Sequence, residues 1–95
     1  MTHRACVHLV APDGNESILY PGDMIGRSLA AGMRLDDIRV SEAHALVSLR
    51  GGQMKLLALR GMLAIDEQPT TEVTLQAGQT VQLASGVSLG VSRVR

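Results

Sequence analysis

Apolar residues occur along the chain in short runs, and turns rich in glycine or proline separate these runs. No stretch shows a convincing helical period, and residues 28–33 are expected to form a loop. This spacing is typical of an all-β sandwich or barrel. The runs that predict strands are residues 5–10, 17–20, 24–27, 38–40, 43–49, 54–59, 62–65, 73–75, 81–83 and 87–91.

The strongest hairpin signal lies at residues 50–53, because Gly51 and Gly52 supply the positive φ angles that a tight primed turn requires. A polar loop is expected between the runs 62–65 and 73–75. The core must be aliphatic, since Tyr20 is the only aromatic residue of the chain. Its expected members include Val47, Leu56, Leu75, Leu83 and Leu89.

The composition of the chain indicates how many domains it forms and which kinds of partner and compartment are expected. A chain of 95 residues is expected to form a single domain, residues 1–95, with one modest core. Nine basic and nine acidic residues cancel, so direct binding to nucleic acid is not expected. No segment approaches the roughly 20 apolar residues of a membrane helix. Cys6 is the only cysteine, which favours a reducing compartment and a cytoplasmic location.

Two polar residues, Arg27 and Ser41, have side chains that are suited to binding a ligand. Arg27 ends a predicted strand, and Ser41 lies fourteen residues later, between the predicted strands 38–40 and 43–49. A guanidinium makes charge-assisted bidentate bonds with phosphate, and a hydroxyl adds a short neutral donor. The pair therefore indicates a phosphate-binding site.

The residues around this pair resemble a known family. Residues 25–27 read I-G-R, and residues 35–45 follow the pattern L-x-D-x-x-V-S-R-x-H-A at every fixed position except Glu42, which stands for the arginine. This pattern is similar to that of forkhead-associated domains, and the likeness is strongest from about residue 18 to 91. It implies an all-β, two-sheet sandwich of SMAD/FHA-like type, with about ten or eleven short strands and the peptide-binding loops at one end.

The resemblance also implies a function. Forkhead-associated domains are non-enzymatic readers of phosphothreonine proteins or peptides in signalling or transcriptional regulation, without a cofactor or metal. By this likeness Arg27 and Ser41 would hold the phosphate, and His44 would brace the loop that presents the serine. The residues assigned to phosphopeptide binding are Arg27, Ser41, Glu42, Arg60 and Gly61, with Gly26 and His44 as structural support.

Three departures from the family pattern bear on binding. Glu42 puts a carboxylate near the phosphate, at a cost on the order of 1 kcal/mol. Arg60 occupies the position of the asparagine that clamps the peptide, in a shortened loop ending at Gly61 and Met62. The family's later N-G turn corresponds to residues 66–67. Compensating charge could come from the arginines Arg34, Arg39 and Arg60.

Other functions remain as alternatives. The main one is a scaffolding domain that kept the sandwich and lost phosphopeptide binding, as in type III secretion ring proteins. His3, Cys6 and His8 resemble metal ligands, but structural zinc commonly needs four, and a buried thiol with surface histidines is the simpler interpretation. Ser41, His44 and Asp37 contain the residue types of a hydrolytic triad, yet no G-x-S-x-G turn surrounds the serine, so an enzyme is not expected.

Overall fold

The computed structural model describes residues 4–95, and strands and turns make up all of its regular structure in that range. No helix there has the length and apolar character needed to cross a bilayer. The strands are β1 (Val7–Val10), β2 (Glu16–Leu19), β3 (Met24–Gly26), β4 (Met33–Arg34), β5 (Ala45–Arg50), β6 (Gln53–Ala58), β7 (Leu63–Ile65), β8 (Gln68–Thr70), β9 (Glu72–Thr74), β10 (Thr80–Ala84) and β11 (Val87–Val94).

These strands form two sheets. The six-stranded sheet has the order β2-β1-β11-β10-β7-β8, and the five-stranded sheet has the order β4-β3-β5-β6-β9. Neighbouring strands are antiparallel except β3 and β4, which run parallel with Ile25 opposite Met33. β1 pairs with β11 from Val7↔Val94 to Val10↔Gly90, which joins the two ends of the described chain. The all-β, two-sheet sandwich predicted from the sequence is confirmed.

Aliphatic side chains fill the space between the sheets, because each strand sends alternate residues inward. The five core residues predicted from the sequence are all buried, from Leu75 at 3% exposure to Leu56 at 0%. His44 is the one polar residue buried among residues 4–95. Its position in an aliphatic interior requires that both ring nitrogens find partners.

Three local predictions are wrong. Residues 38–40 form a turn instead of an extended piece, closed by the Val40 amide donating to the Asp37 carbonyl at 2.9 Å. β4 lies at the edge of the segment 28–33 that was expected to be a loop, and two residues are too few for a periodic signal. β8 falls in the expected polar loop and contains Pro69, which an edge strand tolerates because one side of it needs no ladder bond.

Two hairpins use the same turn geometry with different residues. Gly51 and Gly52 join β5 to β6 with φ angles of 57° and 78°, which is the predicted primed turn. Asp66 and Glu67 join β7 to β8 with φ angles of 49° and 66°. Non-glycine residues adopt this conformation at a cost, so the second turn carries strain that the first does not.

We expect the double substitution Asp66→Asn/Glu67→Gly to relieve that strain and to raise the free energy of unfolding by ~1–2 kcal/mol. Urea denaturation followed by circular dichroism measures it. The matched control is Gly51→Asp/Gly52→Glu, which imposes the same strain on the other hairpin and should lower stability. Equal stability of the wild type and the first variant would show that the turn is unstrained.

Candidate functional site

The loop before β5 lies against the end of β3. The Arg27 amide donates to the Ser41 carbonyl at 3.1 Å, and the Ser28 amide donates to the Glu42 carbonyl at 3.2 Å. The His44 amide donates to the Ile25 carbonyl at 2.9 Å. Two residues fourteen positions apart, Arg27 and Ser41, are thereby placed on adjacent backbone segments.

Gly26 makes this close approach possible. A Cβ atom there would overlap the Glu42 carbonyl oxygen and would lie 2.9 Å from the Ser41 carbonyl oxygen. Its φ lies outside the left-handed region, so the requirement is one of space alone. Any side chain at this position would push the Ser41 loop away from β3.

His44 connects two loops from inside the protein. Its ring is 1% exposed, and its Nδ1 atom accepts the Ser41 main-chain N–H at 3.0 Å. Its Nε2 atom donates to the Met62 carbonyl at 2.7 Å. An amide can only donate and a carbonyl can only accept, so the geometry assigns the neutral tautomer with its proton on Nε2. The imidazole thus fixes the serine-bearing loop to the loop between β6 and β7.

That second loop, residues 59–62, is packed directly on the ring. A Cβ atom on Gly61 would collide with the His44 imidazole. The Arg60 amide donates to the Ala43 carbonyl at 3.0 Å, and the Ser41 hydroxyl donates to the Arg60 carbonyl at 3.3 Å. Gly61 is therefore a packing requirement, and Arg60 is held beside Ser41.

The Arg27 side chain is anchored at one point. Its Nε atom donates to the Val40 carbonyl at 2.6 Å, and the residue is half-buried. Among residues 4–95, neither terminal nitrogen of its guanidinium has a hydrogen bond or an ion pair. The anchored guanidinium therefore keeps two donors available to a ligand.

The charged residues nearby divide into engaged and unengaged groups. Arg39 is bound to Asp37 at 2.8 Å and to the Ser85 carbonyl at 2.9 Å. Arg34 donates to the Arg27 carbonyl at 3.1 Å and lies 3.7 Å from Asp36. Glu42 and Arg60 are exposed, and neither forms an ion pair within the described part of the chain. Of the three arginines considered as sources of compensating charge, Arg34 and Arg39 have carboxylate partners and Arg60 has none among the described residues.

Two of the alternatives from the sequence, the hydrolytic triad and the metal cluster, can be compared with the geometry of the described residues. The His44 ring takes the main-chain N–H of Ser41 instead of its hydroxyl, and Asp37 bonds Arg39 instead of the histidine. Residues 4–95 contain no group of three side chains placed to hold a metal ion. His3, one of the three residues of the metal alternative, lies outside the described residues. His8 bonds Glu16 at 2.9 Å, and the hydrogen bond lowers the pKa of that carboxyl.

Sequence reasoning missed the main-chain contributors to this site. The carbonyls of Val40, Ala43 and Met62 position Arg27, Arg60 and His44 in turn. No side-chain pattern encodes such contacts, because any residue supplies the same carbonyl. The nearest signal was Gly61, whose missing side chain marks a close approach.

Comparison with known proteins places the fold. No family model matches the sequence, and no curated protein matches it either. Among solved structures, the chain is similar to an FHA domain studied for phosphothreonine-dependent interactions, with 28% identity, 93% of this chain and 96% of the other covered, and a TM-score of 0.79. It is also similar to the FhaA FHA domain, solved in complex with the intracellular domain of Rv3910, with 28% identity, 90% and 98% coverage, and a TM-score of 0.78.

A third structure, Rv1747 FHA-1 of Mycobacterium tuberculosis, is 21% identical, with 96% and 100% coverage and a TM-score of 0.80. At that identity it supports the fold alone. The first two add sequence similarity over almost the whole chain. The chain therefore has the fold of forkhead-associated domains, which the pattern at residues 25–27 and 35–45 implied.

The contact between Gly61 and His44 generates a stability prediction. We expect Gly61→Ala to lower the free energy of unfolding by ~1–3 kcal/mol, because the added methyl group overpacks against a ring that is fixed on both sides. In a His44→Ala background the same change should cost much less, and the difference between the two costs measures the contact.

The matched control is Gly90→Ala, where the nearest atom to an added Cβ is 3.7 Å away and the change should be small. Urea denaturation of all four variants provides the numbers. Equal costs of Gly61→Ala with and without the histidine would contradict the described packing.

A second prediction concerns acid. Hydrogen bonds from the Arg39 side chain, followed by the Arg39 amide, lower the pKa of Asp37 from 3.8 to about 2. The folded-state pKa is thus below the unfolded one, so ionised Asp37 stabilises the fold above pH ~4 and loses that effect as the pH falls toward about 2. The stability difference between wild type and Asp37→Asn should therefore shrink across this range.

Urea denaturation at a series of pH values measures that difference. The neighbouring variant Asp36→Asn is the control, since Asp36 lies 3.7 Å from its arginine with its side chain 81% exposed. A difference for Asp37→Asn that stays constant down to pH ~2 would mean that Arg39 does not hold the carboxylate.

Proposed function

We propose that this forkhead-associated domain is a non-enzymatic interaction module that binds phosphothreonine in a partner protein, with Arg27 and Ser41 as the phosphate ligands. It would act in cytoplasmic signalling or transcriptional regulation. The observation that carries the proposal is the Arg27 guanidinium, which is anchored through Nε and has its two terminal nitrogens unpaired within residues 4–95.

The chemistry suits a phosphate monoester. The free edge of the Arg27 guanidinium offers two parallel donors, which match two phosphate oxygens. The Ser41 hydroxyl now donates to the Arg60 carbonyl at 3.3 Å, which is long for an O–H donor. A phosphate oxygen would accept a shorter, charge-assisted bond from the same hydroxyl.

Local charge also supports an anion at this place. A phosphothreonine brings roughly −1.5 to −2 charges at neutral pH. The site contains two positive charges, on Arg27 and Arg60, and one negative charge, on Glu42. Glu42 forms no ion pair in the described structure. The carboxylate therefore leaves both arginines unoccupied, but its own repulsion weakens binding by an amount on the order of 1 kcal/mol.

The similar structures point to the same ligand class. One is an FHA domain whose interactions depend on phosphothreonine, and another was solved with an intracellular protein domain bound. Both are 28% identical to this chain over nearly its full length.

A scaffolding domain without phosphate recognition is the second candidate. One observation favours it: the Ser41 hydroxyl already has an acceptor within the protein. In that case the loops would bind their partner through shape and apolar contact alone. Affinity for phosphorylated and unphosphorylated partners would then be equal.

Calorimetric titration with a phosphothreonine peptide library and its unphosphorylated counterpart tests the proposal. Wild type should bind only the phosphorylated set, weakly, and less tightly as salt rises. Arg27→Lys keeps the charge but loses the planar fork, so binding should fall by about tenfold. Glu42→Arg should strengthen binding by ~1–2 kcal/mol through charge reversal.

Arg50→Lys is the matched control, because Arg50 lies at the other end of β5 and bonds Ser48. It should leave affinity unchanged. Gain of binding only in Glu42→Arg would indicate a reader disabled by its carboxylate. Equal affinity for both peptide sets would reject phosphate recognition and support the scaffolding function.

A further inference from the structure

The sandwich has a groove at the end remote from the candidate phosphate site. β11 begins beside the hairpin that Arg39 bonds and runs away from it to Val94, so Arg95 lies at the opposite end. Two adjoining cavities open there, with volumes of about 540 Å³ and about 280 Å³. We call them together the end groove, and the residues that line both of its parts are Ala5, Leu49, Gly52 and Arg95.

The floor of the end groove is a continuation of the hydrophobic core. Val47 of β5 is fully buried, whereas Leu49, which faces the same side of the strand two positions later, is 46% exposed. Val94 lies opposite the fully buried Val7 and lines the groove together with Ala5. Inward-facing side chains thus reach solvent at the mouth between the two sheets, which leaves apolar surface for a partner to cover.

The charge around the end groove is positive. Arg4 and Arg95 line it, and Arg50 and Arg93 each adjoin a lining residue in the sequence. All four arginines are exposed, and none forms an ion pair within residues 4–95. No acidic side chain of the described residues lines the groove. The formal net charge of zero therefore conceals a local excess of cations at this end, which favours an anionic ligand.

The two arginines that line the end groove have ordered supports. The Arg4 guanidinium lies 4.1 Å from the centroid of the Tyr20 ring, and the Tyr20 amide donates to the Asp23 carboxylate at 2.8 Å. Reciprocal main-chain bonds of 3.1 and 2.9 Å hold Arg95 to Cys6. Stacking uses the face of the Arg4 guanidinium and leaves the N–H groups at its edge free to bind a carboxylate. Less conformational entropy is then lost when a ligand binds.

We propose that the end groove binds an acidic, unphosphorylated segment of a partner protein. An apolar side chain of the segment would lie between Ala5 and Leu49, and its carboxylates would bind Arg4 and Arg95. An extended peptide supplies apolar and charged side chains within a few residues of each other, as this groove requires. An anionic bilayer would meet the exposed arginines but could not reach the apolar floor. The inference is independent of the proposed phosphate site, because Arg27 and Ser41 lie at the other end of the sandwich.

Three synthetic peptides of equal length test this inference with the 95-residue chain. One has Asp and Glu around a central Leu, the second has Ser in place of that Leu, and the third has Lys and Arg in place of the acidic residues. Titrations followed by amide chemical shifts should move the signals of Ala5, Leu49 and Gly52 with the first peptide. The second peptide should bind about fivefold more weakly, since it buries less apolar surface, and the third should not bind.

The double variant Arg4→Gln/Arg95→Gln should weaken binding of the first peptide by roughly three- to tenfold. The matched control is Arg34→Gln/Lys55→Gln, which removes the same charge from residues that do not line the groove and should leave the affinity unchanged. Equal effects of the two double variants would overturn the inference, as would equal binding of the Leu and Ser peptides.

Two further outcomes would overturn the inference in favour of another site or ligand. Shifts confined to residues around Arg27 would mean that the acidic peptide occupies the candidate phosphate site. Sedimentation with vesicles that contain phosphatidylserine, without any shift on addition of peptide, would assign the basic end to a bilayer. Because all three peptides lack phosphate, none of these results depends on whether the phosphothreonine proposal holds.

Discussion

The pair of hydrogen bonds made by the buried imidazole of His44 is the interaction on which the site depends. One bond holds the amide of Ser41, and the other holds the carbonyl of Met62. Both are made inside an aliphatic core, where an unpaired polar group would cost a few kcal/mol. The ring therefore cannot leave either loop without a penalty. A group with no contact to the ligand thus fixes the distance between the two loops that would receive it.

Gly26 and Gly61 complete this arrangement, because neither has a side chain that would keep the neighbouring segments apart. Gly26 lets the Ser41 loop lie directly against β3, and Gly61 lets the second loop rest on the imidazole. In both cases a methyl group would fill the space that the backbone occupies. Recognition of a phosphate here would depend on the close approach of main-chain segments. These segments would hold Arg27 and Ser41 in the positions from which their side chains contact the phosphate.

The sequence was sufficient to predict the fold and several residues of the hydrophobic core. Alternating aliphatic runs predicted the sandwich, and residues such as Val47 and Leu56 are buried as their spacing implied. It was insufficient to predict β4, which consists of two residues, and β8, an edge strand whose Pro69 is untypical of strands. Short elements at sheet edges are selected by pairing with neighbours, and this information is absent from local periodicity. The commitment of Arg39 to Asp37 and Ser85 was equally hidden, since the latter contact joins positions far apart in the chain.

The pairing of β1 with β11 has a consequence for how this domain can be attached to other polypeptide. β11 begins beside the hairpin that touches Arg39, near the candidate site, and it runs away from that end to Val94. Val7 lies opposite Val94, and reciprocal bonds between Cys6 and Arg95 hold the two ends of the described chain together. Polypeptide joined at either side would therefore leave from the end remote from the Ser41 loop and from residues 59–62. Any such tether would be spatially separated from the proposed phosphate site, so its length and composition could change without obstructing that site.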